Sequence, residues 1–485
     1  MKEMQADVVI VGCGAAGLSC ALTSLEAGKS VVMLERANEA ESGGNTRWTE
    51  ALLRLKSETE VTDDFVDEFT RNSGYNIQQD FIEATTREYS TWPSVVKALS
   101  FLDPEVLNAF AEGVPEVLKW LQDHGIKVVD SYYPYPLYWA MMSIYGGGLA
   151  IIETLTPIVK KKGAEVLYET TAVGLLRDDD ERVVGIKAVD ANHEGIKIHA
   201  ASVVLACGGF EGNPQMVVQH IGPAARYMRP VARGGYYNKG EGIRMALDAG
   251  AAPAGDYADC HRQMIDARSC MQEALVNCFP MGVIVNKDAV RFMDEAPSEA
   301  WRIQEDPCRF VTEQRDGIAY LILDQKINDY PNWRTMVRSD LPPVSADSLE
   351  GLAQKLELPV AKFVSTLSAY NEACVPGPFE PSTLDGVRTE GLQPPKSNWA
   401  RPIDKGPFLA YPIMSSITFT YGGLKTTANA QVVNNSGMVI PGLYAAGETV
   451  GILYGLYVGA VSVLRALTFG RIAGKHIAER RSLVN

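Results

Sequence analysis

Residues 6–36 read ADVVIVGCGAAGLSCALTSLEAGKSVVMLER. The run from Ala6 to Gly12 is rich in Val and Ile and lacks polar alternation, as a parallel strand buried on both faces requires. Gly12-Cys-Gly14-Ala-Ala16-Gly17 follows. Leu18, Ala21, Leu22 and Leu25 then recur at helical spacing until Gly28 stops the helix. Residues 30–36 return to strand, with Glu35 near the end. In such a βαβ unit Gly12 permits the tight turn, Gly14 lets the backbone approach a pyrophosphate, and Gly17 lets helix and strand pack closely. The phosphates sit at the positive helix N-terminus around Ala16, and Glu35 is placed to accept hydrogen bonds from a ribose diol. The glycines lie between two strands with the acid at the right distance, which makes a nucleotide-binding unit the expectation.

The rest of the chain bounds the answer. Its 485 residues are too many for one core, so two or more domains are expected. A net charge of −14 repels phosphate-rich surfaces and argues against nucleic acid or an anionic membrane as partner. No apolar run of about 18 residues is available to span a bilayer. The N-terminus leads straight into a strand, so no signal peptide is expected. Eight scattered cysteines without Cys-x-x-Cys spacing argue against an iron–sulfur cluster, a structural zinc, a haem or a disulfide framework. No metal site is expected, and reduced thiols suit a cytoplasmic location.

Other segments complete the picture. Glu41-Ser-Gly43-Gly44-Asn45-Thr46 follows the second strand. SVVLACGG at 202–209 is another buried strand ending in Gly208 and Gly209. Near the C-terminus GLYAAG leads to Gly447-Glu448, and a helix beginning near Ala460 is expected to run to about Ile477. That places a second helix N-terminus near the nucleotide. GGNT at 43–46, ACGGFEGN at 206–213, TYGGL at 420–424 and IPGLYAAGE at 440–448 together resemble the fumarate reductase/succinate dehydrogenase flavoprotein family. The resemblance covers nearly the whole chain. GDYADCH at 255–261 and ITFTYGGL at 417–424 are most similar to the tricarballylate dehydrogenase branch, and YVGA at 457–460 to the YPG turn of 3-ketosteroid Δ1-dehydrogenases.

The resemblance implies an α/β fold: a Rossmann-type FAD-binding domain with a parallel sheet and helices, carrying an inserted α+β capping domain. The change of character from about 253 to 395 suits the insert, giving 1–252 and 396–485 to the FAD domain and 253–395 to the cap. Carried over residue by residue, the FAD contacts fall on Gly12, Gly14, Ala16, Gly17, Glu35, Arg36, Gly43, Gly44, Asn45, Thr46, Gly208, Gly422, Gly423, Gly447, Glu448 and the helix start Ser462-Val463-Leu464. The backbone of Val173 would face the adenine. Some relatives attach the flavin to a His after the second strand; this chain has no His between residues 1 and 123, so non-covalent FAD is expected.

A flavin enzyme of this kind passes a hydride between a C–H and flavin N5, while a second group moves the proton on the adjacent carbon. His261 matches the family's substrate-binding His through Tyr257-x-x-x-His261. Arg302 is the next Arg after Arg291-Phe-Met-Asp-Glu295, the motif that precedes the proton-donating Arg in fumarate reductases. Two departures stand out. Phe419 occupies the place of a His, and the turn 453–459 has Tyr457 but no carboxylate-clamping Arg. Tyr421, Tyr454 and Tyr457 could hydrogen-bond a carbonyl or move a proton; tyrosines packed in a core are the plain alternative. The aromatic cluster at 132–145, including Tyr138 and Tyr145, reads either as the wall of an apolar pocket or as a packed loop. With Phe419, Tyr454 and Gly459 it makes up the expected substrate wall.

The expected activity is therefore an FAD-dependent dehydrogenase or ene reductase acting on a C–C bond next to a carbonyl, with a fairly apolar substrate and Tyr or Arg as proton carrier. One alternative is a tricarballylate-like polycarboxylate dehydrogenase; another is a flavoprotein isomerase or binding module without net redox turnover. A single dinucleotide fingerprint implies a separate electron donor or acceptor: a redox protein, a quinone-linked partner or reduced flavin.

Overall fold

The computed structural model describes residues 2–72, 88–94, 103–131, 140–297 and 302–479. Strand β1 (Lys2–Val11) is buried from Ala6 onward. Its one charged buried residue, Asp7, accepts hydrogen bonds from the Ser30 amide and hydroxyl, both at 2.9 Å, and so ties β1 to the start of β2 (Val31–Leu34). Helix α1 (Ala15–Glu26) joins them. The glycines between β1 and α1 have steric causes. Gly12 holds φ at +107°, and a Cβ there would overlap the Ala206 carbonyl; a Cβ on Gly17 would overlap the Gly12 carbonyl.

Around this unit a mixed sheet forms. In spatial order it runs Gln431–Val433, Val439–Ala445, Gly195–Leu205, β1, β2 and Glu165–Leu167. The five strands from 439–445 across to 165–167 pair in parallel. Gln431–Val433 is antiparallel at one edge. Thr171–Arg177 and Val183–Val189 add an antiparallel extension to Gly195–Leu205. The expectation of a parallel sheet is thus corrected to a mixed one. The cause is local: short turns at 178–182 and 190–194 join these strands, and short turns permit only antiparallel neighbours. The C-terminal helix (α6, Ser462–Ala478) lies along α1, so closely that a Cβ on Gly470 would overlap the Ala16 carbonyl.

A second sheet is organised by the 13-residue strand Phe408–Thr420. Its first half pairs with Ile318–Leu323 and Val344–Ala346, and its second half with Cys260–Asp266 and Arg229–Pro230. Val283–Asn286 lies beyond Ile318–Leu323. Alternation divides this sheet between two cores: Ile284 and Leu321 face Trp399 and Trp333, while Val283, Val285 and Ile322 face Phe363 and Leu367. The long strand carries Thr418, Phe419 and Thr420 away from these cores and into the larger core of the first sheet, so it places second-sheet residues against the nucleotide unit. Among the described residues no helix is long and apolar enough to cross a membrane.

Gly17→Ala tests the packing role of that glycine. It should unfold the chain several degrees earlier in a thermal melt, as expected for a loss of about 2–4 kcal/mol from overpacking and backbone displacement. An unchanged melting temperature would contradict the close approach of Gly17 to Gly12.

Candidate active site

A cleft of about 270 Å³ opens where the parallel strands end beneath the second sheet. At one end Glu35, Arg36, Thr170, Thr171 and Ala172 line it. Glu35 Oε2 accepts from the Cys13 amide at 3.2 Å and Oε1 from the Ala37 amide at 2.9 Å. Burial pushes its carboxyl up, and those amides partly offset the rise. Arg36 pairs with Glu241 at 2.6 Å. In the middle Gly12, Gly14 and Ala16 face Gly43–Thr46, with Gly208, Gly447 and Glu448 alongside. The Ala15 amide donates to Thr46 Oγ1 at 3.0 Å, locking the two loops together.

This wall suits a flavin dinucleotide. Gly14, the residue before α1, supplies no side-chain cap, so the first-turn amides after Ala15 are available to phosphate. The Asn45 side-chain carbonyl oxygen Oδ1 and the Thr418 hydroxyl Oγ1 belong to residues lining the cleft, are buried and lack a hydrogen-bond partner among the described residues. A ring with polar edges would satisfy them. Glu211 Oε1 holds the other side of Asn45 at 2.7 Å and also Asn238 Nδ2 at 2.7 Å. Glu448 Oε1 accepts from the Thr420 amide at 2.8 Å. Burial raises both carboxyls, Glu211 the more, because a second acid stands beside it.

The far end is aromatic. His261 and Phe419 face each other across the paired strands, next to a register shift between His261 and Arg262 that re-aims the side chains. The His261 ring lies 4.4 Å from Tyr457 and 5.2 Å from Phe419 by centroid. Its Nδ1 is 2.5 Å from Glu305 Oε1, and its Nε2 is 3.3 Å from Gln263 Nε2. Helix α5 (Arg302–Thr312) supplies Glu305, fully buried, and one turn later Arg309, which bonds Asp259 at 2.5 Å and the Gly455 carbonyl at 2.9 Å. The Tyr457 hydroxyl accepts from the Val461 and Ser462 amides, both at 3.1 Å, and so caps α6.

Some expected residues stand elsewhere. Tyr421 is fully buried behind His261, its hydroxyl 3.5 Å from Glu305, and it does not line the cleft; burial beside Glu305 raises its phenol. The Tyr454 hydroxyl is taken by the Gly255 amide at 2.9 Å and fixes a turn. Tyr145 is 71 % exposed, away from the cleft. Gly422 and Gly423 make room for the Tyr257 ring and the Thr449 carbonyl, and Gly17 for the Gly12 carbonyl; all three support the wall from behind. Leu464 and Gly459 are buried outside the lining, which Val463 and Ala460 provide. Val173 is half exposed just past Ala172, which does line the cleft. Tyr138 lies outside the described residues, as does the side chain of Arg302, which begins α5.

Three residues escaped sequence reading: Gln263 and Arg465 in the cleft wall, and Glu305 behind it. Each left a signal. Glu305 sits at helical spacing with buried Cys308 and Thr312, a charge on an apolar stripe. Gln263 is two residues from His261 on the same strand face. Arg465 is a lone charge in AVSVLRALTFG.

The family described as FAD binding domain matches residues 7–462. The NADH:acrylate oxidoreductase of Vibrio harveyi is 28% identical over 98% of this chain, which spans about half (51%) of that protein's length. The vinyl phenol reductase of Lactiplantibacillus plantarum is 26% identical over 99% of this chain and 97% of its own. An open-conformation structure of a flavocytochrome c3 fumarate reductase superposes with a TM-score of 0.74, at 22% identity, over 98% of this chain and 78% of that one. None of this singles out a tricarballylate or Δ1-dehydrogenase branch. The chain belongs to the FAD binding domain family, within the fumarate reductase/succinate dehydrogenase superfamily, and is an oxidoreductase whose FAD is bound non-covalently.

Proposed function

We propose that this oxidoreductase adds or removes hydrogen across a C–C bond adjacent to a carbonyl on a mostly apolar substrate, with residues 253–395 serving as the cap. The observation that carries the reading is the buried Glu305–His261 pair, whose imidazole stands against Tyr457 in the cleft wall. Bound FAD supplies hydride transfer through N5. The chain must then move a proton at the neighbouring carbon and hold the carbonyl.

His261 is built for the proton. Glu305 fixes the ring through Nδ1 and stabilises the imidazolium when Nε2 takes up a proton, so Nε2 faces the substrate side beside Gln263. Tyr421 braces Glu305 from behind and acts as a positioning residue. Tyr457 is the proposed carbonyl anchor, since α6 amides hold its oxygen in place. Arg302 remains a second candidate for the proton. Phe419 and the Tyr457 ring supply apolar wall and exclude water. Electrons enter or leave through a separate donor or acceptor, whether a redox protein, a quinone-linked partner or reduced flavin, and its potential sets the direction of reaction.

The direct test is anaerobic mixing of the reduced holoenzyme with a panel of enones, vinyl arenes, enoates and tricarboxylates. Reoxidation of the flavin by any of the first three supports the reading, and reoxidation by none of the panel overturns it. His261→Asn should lower turnover about 100-fold or more, and Glu305→Gln by about tenfold, with flavin content unchanged. Turnover within threefold of the parent in His261→Asn would remove His261 from the chemistry. Loss of activity in Arg302→Lys but not in Tyr457→Phe would move the proton to Arg302.

The cleft also carries a pH signature. Glu273 lines it with Arg338, whose Nη1 lies 3.2 Å away, yet burial outweighs that attraction and pushes the Glu273 carboxyl up to about 7. A folded-state value above the unfolded one favours the protonated form. That stabilisation is complete below about pH 4.5 and is lost as pH rises through about 7. Relative to Glu273→Gln, the parent should therefore lose a few degrees of melting temperature between pH 5 and 8. Parallel curves for the two proteins would contradict the assignment.

A further inference from the structure

Arg465 stands on the first turn of α6 and is 1 % exposed, yet its side chain borders the cleft. Its Nε and Nη1 are buried and have no hydrogen-bond partner among the described residues. The guanidinium rests over the Phe419 ring, 5.3 Å from its centroid. Glu448 attracts it from a distance, but Glu448 Oε1 is already engaged by the Thr420 amide and hydroxyl. No ion pair closes on Arg465 among the described residues, although many other arginines here are paired, including buried Arg262 and Arg291. A guanidinium keeps its charge even when burial works against it, and a buried charge without a counter-ion is costly. The positive end of α6 adds to the same potential.

We propose that Arg465 anchors the carboxylate of the substrate, which is then an α,β-unsaturated monoacid with an apolar remainder. This rests on the reading of the cleft as that of a C–C oxidoreductase, and it narrows the substrate class. A planar guanidinium whose open Nε and Nη1 flank Nη2 can turn a two-donor edge to the two oxygens of a carboxylate. The position favours substrate over the dinucleotide's phosphates: the guanidinium lies over Phe419, which with Tyr457 packs on His261, and so belongs to the end of the cleft opposite Glu35. A single such cation, set among Phe419, Tyr457 and His261, suits one carboxylate and an apolar or aromatic group, and leaves a tricarboxylate's other charges unmatched. An anionic oxygen on the reduced flavin ring is the other source of the same chemistry.

The experiment uses oxidised holoenzyme, so it does not depend on turnover. Cinnamate and acrylate, and their uncharged amides, are titrated against the flavin absorbance of the parent, Arg465→Met and Arg465→Lys. The midpoint potential of each protein is measured alongside. The parent should bind at least one acid tenfold or more tightly than its amide. Arg465→Met should abolish that preference, and Arg465→Lys, which keeps the charge but not the fork, should retain part of it, with the midpoint potential little changed in both. Should Arg465→Met fail to hold FAD, a loss of threefold or more in the acid preference of Arg465→Lys decides in favour. Equal binding of acid and amide by the parent, or no binding of either acid, overturns the proposal. So does an unchanged acid preference accompanied by a shifted potential, which assigns Arg465 to the flavin ring. The general reading fails separately, when no unsaturated compound, acid or amide, reoxidises the reduced parent enzyme.

Discussion

The pairing of β1 with Gly195–Leu205 is the constraint on which the rest of the molecule depends. It runs in register from Lys2 opposite Ile196 to Val11 opposite Leu205. Where it ends, the Ala206 amide donates to the Val11 carbonyl at 2.9 Å, and the turn at Gly12 passes against the Ala206 carbonyl with no room for a side chain. Two strands that close leave their C-terminal ends flush. Whatever follows them, the glycine loop after β1 and Cys207-Gly208 after its partner, must face the same crevice. The cofactor cleft is a consequence of that register.

The second constraint is the length of Phe408–Thr420. A strand half as long would serve only the second sheet. At 13 residues it carries Thr418 to Thr420 to the crevice, where the Thr420 amide meets Glu448 and Phe419 meets His261. The last residues of one strand thus connect the glutamate beside the glycine loops to the aromatic end of the cleft.

Polar groups in this cleft are layered. Glu305 touches no cleft surface, but it orients His261; Tyr421 braces Glu305, and Arg309 and Arg262 share Asp259 just below. Such a buried network is costly unless each member is engaged, and its members are engaged by one another. Arg465 breaks this pattern. It stands inside the wall with two donors open, and the difference between it and its paired neighbours is what makes it informative.

From residues 6–36 alone, the strand, the glycine turn, the helix and the acid could be read in order, because each depends on neighbours within one βαβ unit and on steric rules that hold anywhere. The cofactor was legible for the same reason: the cleft lining at 12–16, 35, 43–46 and 448 comes from short motifs with fixed local geometry. His261 and Tyr457, though nearly 200 residues apart, were legible only as separate candidates. Their meeting at 4.4 Å required the register of Cys260–Asp266 on Phe408–Thr420 and the capping of α6 by the Tyr457 hydroxyl. The same holds in reverse for Tyr421 and Tyr454, whose sequence neighbourhood suggested the cleft. Tyr421, just past the strand's end at Thr420, stands instead in the packing behind it with its hydroxyl on Glu305, and Tyr454 spends its hydroxyl on the Gly255 amide. Local geometry is written in local sequence. Which side chain faces a ligand is decided by long-range packing, because only the packed chain determines which charges find partners and which, like Arg465, are left open.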